Sequence, residues 1–132
     1  MALRALRIAT TVLFALALGQ AGFGSGLAAS LITRPKSEAL ETAHLVNAYL
    51  VVTAVVVCLV ASLLLRRDEG TSWPLWFAVA LLVVVVLQIV LGKQRVVGAH
   101  LYLGVLYLCA VTTYCSYAWR HRPASDRVTT GR

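Results

Sequence analysis

Four apolar runs, each long enough to cross a bilayer, constrain this chain more than any other feature. A hydrocarbon core of about 30 Å takes roughly 20 apolar residues as a helix. The runs fall at about residues 7–29, 43–65, 73–92 and 96–119. In lipid only helices and closed barrels satisfy every backbone N–H and C=O. Stretches such as Val83 to Leu87 lack the alternation of a barrel strand. The expected fold is an all-α membrane protein, a four-transmembrane-helix bundle. Short connections make successive helices antiparallel neighbours, an up-down-up-down arrangement. Valine disfavours helix in water, but lipid overrides that preference.

Charge agrees with this reading. The 132 residues are 60% hydrophobic and 13% charged, with a net charge of +7. The basic residues flank the apolar runs and form no amphipathic face, so they read as topology-setting charge and not as a nucleic-acid surface. One side of the bundle carries Arg4, Arg7, Arg66, Arg67, Arg120, Arg122, Arg127 and Arg132; the other carries Arg34, Lys36, Lys93 and Arg95. The richer side is expected in the cytoplasm, with both termini, and Trp73, Trp76 and Trp119 at its interface. Arg4 and Arg7 before an apolar stretch that ends near Ala28 and Ala29 also resemble a secretory signal, but the stretch is long and reads as a span. Residues 1–122 form one domain, followed by a polar cytoplasmic tail over 123–132. Cys58, Cys109 and Cys115 fall inside the spans, without metal-finger spacing, and read as buried small hydrophobes.

Polar side chains inside a span are costly and therefore functional candidates. They are Gln20, Glu41, His44, Asn47, Gln88 and His100, all toward the outer ends of their segments. Pro35, Lys36 and Ser37 mark a helix start with Ser37 as N-cap, which puts His44 about two turns in. His100 lies about one turn into the fourth span. At about 1.5 Å per residue, the two imidazoles differ in depth by a few ångströms, as a heme held between two histidines requires. Gly104 and Gly98 near His100, Ala48 near His44, and Gly19, Gly22, Gly24 and Gly26 on the first span leave room for a flat macrocycle. Lys93 and Arg95, with Arg34 and Lys36, rim that end and can pair with propionates. The alternative for each histidine alone is an interfacial hydrogen bond. Small residues also pack transmembrane helices in general. Glu41 and His44 form an ExxH on one helical face, where a carboxylate can move protons or orient the ring; the alternative is a solvated glutamate. Gln20 and Gln88 read as interhelical hydrogen-bond residues, Tyr102 and Tyr107 as packing, and His121 as topology-setting charge.

Four short pieces then resemble the heme A synthase family. They are Gly24-Ser25-Gly26-Leu27, Glu41-Thr42-Ala43-His44, Leu87-Gln88-Ile89-Val90-Leu91-Gly92 and Gly98-Ala99-His100-Leu101, in the family's order. Full-length members look like two fused four-helix halves, each with a histidine pair, and this chain resembles one half. The resemblance implies that His44 and His100 are axial heme ligands. It also implies that Glu41 is the acidic residue tied to oxidation of a heme O methyl group. Gln88, Gly104, Lys93 and Arg95 would line or rim the heme. A bacterial or archaeal cell membrane is the expected location, and a homodimer would restore two halves. The competing readings are a non-catalytic membrane b-type cytochrome or heme carrier, and a structural or assembly subunit of a respiratory complex.

Overall fold

A computed structural model describes residues 1–33 and 37–122, the side chains of residues 31–33 excepted. The readings placed on Arg34, Pro35, Lys36 and the tail over 123–132 lie outside the described residues. The described chain is all helical: α1 (Ala2–Thr33), α2 (Glu38–Glu69), α3 (Trp73–Lys93) and α4 (Val97–Arg120). All four are long and apolar enough to cross a membrane.

Helices α1 and α2 run past the apolar boundaries, and capping chemistry sets both ends of α2. The Ser37 hydroxyl accepts from the Leu40 N–H at 3.3 Å and opens α2 at Glu38, five residues before the expected span. Gly70, in the left-handed region at φ 72°, closes α2 with its N–H on the Arg66 carbonyl. At 32 residues, α1 and α2 are each about 48 Å long at 1.5 Å per residue, so both extend beyond a hydrocarbon core. Pro74 sits in the first turn of α3, where its missing N–H leaves no helical bond unmade.

Each helix packs on two others, α1 on α2 and α4, α3 on α2 and α4, which leaves α2 diagonal to α4. Side-chain bonds fix which ends meet. Arg7 reaches the carbonyls of Ala118 and His121, His121 meets Glu69, and the Tyr114 hydroxyl donates to the Pro74 carbonyl. These contacts define the Arg7 end. Gln20, His44, Gln88 and His100 meet at the opposite end, the His44 end.

The core follows a three-four spacing on every helix: Leu6, Thr10, Leu13 and Ala17; Asn47, Val51, Ala54, Cys58, Ala61 and Leu65; Ala78, Leu81, Val85 and Gln88; Tyr107, Val111, Tyr114 and Ala118. That is the seam of near-parallel helix packing. Many of these residues are small, which lets backbones approach closely where lipid removes the hydrophobic drive between helices. Two tight polar links cross the core near the Arg7 end. Ser62 donates to the Tyr114 hydroxyl at 2.5 Å, and Tyr114 in turn donates to the Pro74 carbonyl at 3.0 Å; the Cys58 carbonyl, 2.7 Å from Ser62, lies on the same helix as Ser62. Trp73, Phe77, Tyr114 and Tyr117 stack beside them.

Three readings of single residues change here. Tyr102 was expected to pack, but it lies on the outer surface of α4, off the seam. Of the cysteines only Cys58 is buried; Cys109 is exposed and Cys115 partly so, because neither lies on the seam. His121 is more than a flanking charge: its Nε2 lies 2.8 Å from Glu69, its Nδ1 lies 3.2 Å from the Tyr117 hydroxyl, and its carbonyl accepts from Arg7. It ties α1, α2 and α4 together at the Arg7 end.

Candidate functional site: a facing histidine pair

The seam continues toward the His44 end, but its residues change character. On α1 it runs on to Gln20 and Gly24, on α2 back to His44 and Leu40, on α3 to Gly92, and on α4 back to Gly104 and His100. Large apolar side chains that would close a core there are missing. Among the described residues, none from Leu18 to Val46 is buried, and none from Val96 to Leu106. The two buried residues nearest this end are polar, Asn47 and Gln88.

His44 on α2 and His100 on α4 face one another across the bundle diagonal. Their ring centroids are 6.2 Å apart, with planes inclined at 68°. Two metal–imidazole bonds of about 2.0–2.1 Å each and two half-rings come to about this length, while His44 Nε2 is bonded to Gln20. Glycines pack against both rings and against the Gln88 amide. A Cβ on Gly24 would come within 3.4 Å of His44 Cε1, one on Gly92 within 3.3 Å of His100 Cε1, and one on Gly104 within 3.2 Å of Gln88 Nε2. A Cβ at Gly24 would make ordinary contact with His44, whereas at Gly92 and Gly104 the His100 ring and the Gln88 amide would have to shift by a few tenths of an ångström.

The hydrogen bonds fix the tautomers. His100 Nδ1 lies 3.0 Å from the Gln88 carbonyl oxygen. A carbonyl only accepts, so Nδ1 carries the proton and the Nε2 lone pair stays available. On the other side, Asn47 Nδ2 donates to the Leu16 carbonyl at 2.9 Å and to Gln20 Oε1 at 2.7 Å. The Leu16 carbonyl again fixes the sense of the chain: Asn47 presents its NH2, Gln20 presents its oxygen to Asn47, and Gln20 Nε2 donates to His44 Nε2 at 3.1 Å. His44 then carries its proton on Nδ1, which is buried without a partner, as is Gln88 Oε1. Orphaned polar atoms of this kind mark a place for a further group or water.

The remaining candidates lie around this pair. Glu41 is exposed on α2 one turn before His44, and Glu38 is exposed one turn further out. Lys93 is exposed in the last turn of α3. Arg95 follows with φ 58°. Its N–H bonds the Gly92 carbonyl, and the Val96 N–H bonds the Leu91 carbonyl, a helix-ending motif that usually takes glycine at this position. An arginine there costs about 1–2 kcal/mol of backbone strain, so the turn itself does not account for it. Among the described residues no three His, Cys, Asp or Glu side chains gather around a metal position. Two imidazoles are too few to cage a bare ion but suit an iron whose porphyrin brings the equatorial ligands.

The polar residues were legible in the sequence; the relay that joins them was not. Gln20 and Asn47 sit on different helices, and no spacing within one helix signals their contact. Comparison with protein-family models, with curated proteins and with solved structures gave no match.

Proposed function

We propose that this chain is a multi-pass membrane protein that holds a heme between His44 and His100, as an oxidoreductase of the heme A synthase kind. The observation that carries the reading is the facing pair: two imidazoles from diagonal helices, 6.2 Å apart, at an end of the bundle where apolar side chains do not close the core. The four sequence pieces that resemble heme A synthase lie along this end, since Gly24, His44, Gly92 and His100 all belong to it. We read the helices as an up-down-up-down bundle in the cell membrane, with Arg7, Arg66, Arg67 and Arg120 on the cytoplasmic side and the histidines toward the outer face. A reporter fused after Arg132 that works only outside the cytoplasm would overturn this sidedness.

Bound heme supplies the iron for redox chemistry, and in heme A synthase the reaction is oxidation of a heme O methyl group. The chain's own part is positional. His100 offers Nε2 while the Gln88 carbonyl holds its Nδ1–H and so fixes the ring plane. His44 offers the opposing ring. Gly24, Gly92 and Gly104 keep side chains out of the space between the helices. Lys93, in the last turn of α3, and Arg95, just after it, would pair with propionate carboxylates. Glu41, exposed a turn before His44, can exchange protons with water at the membrane boundary.

One observation favours a second reading. Glu41 is exposed on α2 and not buried against the histidine pair, which suits a cytochrome or heme carrier that needs no proton-handling group. The two readings part in one experiment. Purified protein with a Soret band supports either, and a colourless protein that takes up no added hemin sinks both. Supplied with heme O and an added electron acceptor, with water as the oxygen source, the wild type is expected to form heme A. Glu41→Gln is expected to keep the low-spin spectrum and lose that turnover. Wild-type protein that binds heme O and never converts it leaves the carrier reading standing alone. Whether a homodimer or a respiratory-complex subunit supplies a second half-site is read from the mass of the purified complex.

A further inference from the structure

We infer that Gln20 is a latch on His44: in the heme-free bundle its amide occupies the imidazole nitrogen that a metal would take, and Asn47 holds the latch in that sense. The inference rests on the heme reading above and adds residues to it. The argument starts from the one group in the relay that cannot change role, the Leu16 backbone carbonyl. Because it accepts from Asn47 Nδ2, the Asn47 amide is oriented, Gln20 must turn Oε1 toward Asn47, and Gln20 Nε2–H must point at His44 Nε2. Asn47 is buried, so its amide is shielded from water, while Gln20 and His44 are half-buried. His44 Nε2 is thereby an acceptor, and its lone pair is taken. His100 differs. Its Nδ1–H is held by the Gln88 carbonyl, and among the described residues its Nε2 has no hydrogen-bond partner. The two imidazoles are therefore unequal: His100 is set for ligation, whereas His44 ligates through Nε2 only after α1 gives up its bond to α2.

Two substitutions push this latch in opposite directions. Gln20→Leu removes the donor and frees Nε2. Gln20→Glu places acceptor oxygens toward both Asn47 and His44, which draws the proton onto His44 Nε2 and closes that nitrogen to a metal. The chain has three histidines, so their signals can be assigned by single substitution.

The test uses the full chain in detergent micelles with 15N-labelled histidine. In the heme-free wild type, His44 and His100 are both expected with the proton on Nδ1. Gln20→Leu is expected to lose the fixed tautomer at His44 and to leave His100 unchanged; Gln20→Glu is expected to move the His44 proton to Nε2. Hemin titration is expected to show binding about fivefold tighter in Gln20→Leu, the equivalent of one neutral hydrogen bond of about 1 kcal/mol, and weaker than wild type in Gln20→Glu. Helical circular dichroism checks that both variants fold, and Gln20→Met replaces Gln20→Leu if that variant does not. A wild-type His44 with its proton on Nε2 overturns the relay. Tautomers as expected with hemin affinity unchanged, or weakened in Gln20→Leu, overturn the latch and make Gln20 a support of His44. A wild type that takes up no hemin overturns the heme reading whichever tautomer His44 shows.

Discussion

The two ends of the bundle are built from the same kind of sequence and come out differently. At the Arg7 end the seam is filled by Leu6, Leu13, Val55, Leu65, Val111 and Tyr114, all essentially inaccessible, and is crossed by the Ser62–Tyr114 and Arg7–His121 links. At the His44 end the same seam carries glycine, amide and imidazole, and few of the described side chains are buried. Seven of the chain's nine glycines, Gly19, Gly22, Gly24, Gly26, Gly92, Gly98 and Gly104, lie in this half. In lipid, helices associate through packing and polar contacts, since hydrocarbon offers no hydrophobic drive between them. The Arg7 end has both kinds of contact. The His44 end has a few polar bonds and little packing, so its stability is expected to depend on what fills it.

The largest expected effect follows from that contrast. His44→Ala and His100→Ala should each abolish the low-spin spectrum of hemin-loaded protein, whereas His121→Ala, at the other end, should leave it intact. An unchanged spectrum in both single variants would end the proposed difference between the two ends. Tyr114→Ala tests the packed end. It removes an aromatic side chain that is fully buried, together with its bonds to Ser62 and Pro74. The cost should be about 3 kcal/mol in a denaturant titration of the detergent-solubilised bundle. A loss under about 1 kcal/mol would mean that the Arg7 end is no tighter than its opposite. The smallest effect sharpens the comparison at the α3–α4 turn. Arg95→Gly relieves the left-handed strain and should stabilise the heme-free bundle by about 0.5–1 kcal/mol. The same change should weaken hemin binding if the side chain serves the propionates. Weaker binding without added stability, or the reverse, would separate the two roles.

How far the sequence revealed this can be argued residue by residue. The candidate ligands stood out because His44 and His100 are polar groups in apolar runs, and their matched depth followed from the helix rise alone. The Ser37 cap was readable for the same local reason. The burial of Cys58 against the exposure of Cys109 and Tyr102 was not readable, because the spans are apolar on all sides and hydropathy marks no face. The part played by His121 was missed because Glu69, Tyr117 and Arg7 reach it from three helices.

Crossing a bilayer is a property of each segment by itself: length and apolarity decide it, so the sequence alone determined that there are four such helices and which polar residues they carry. Which face becomes the seam, that α2 lies diagonal to α4, and that a backbone carbonyl on α1 sets the tautomer of a histidine on α2 depend on pairs of helices. Those relations exist only once the helices are side by side, and only the tertiary structure decided them.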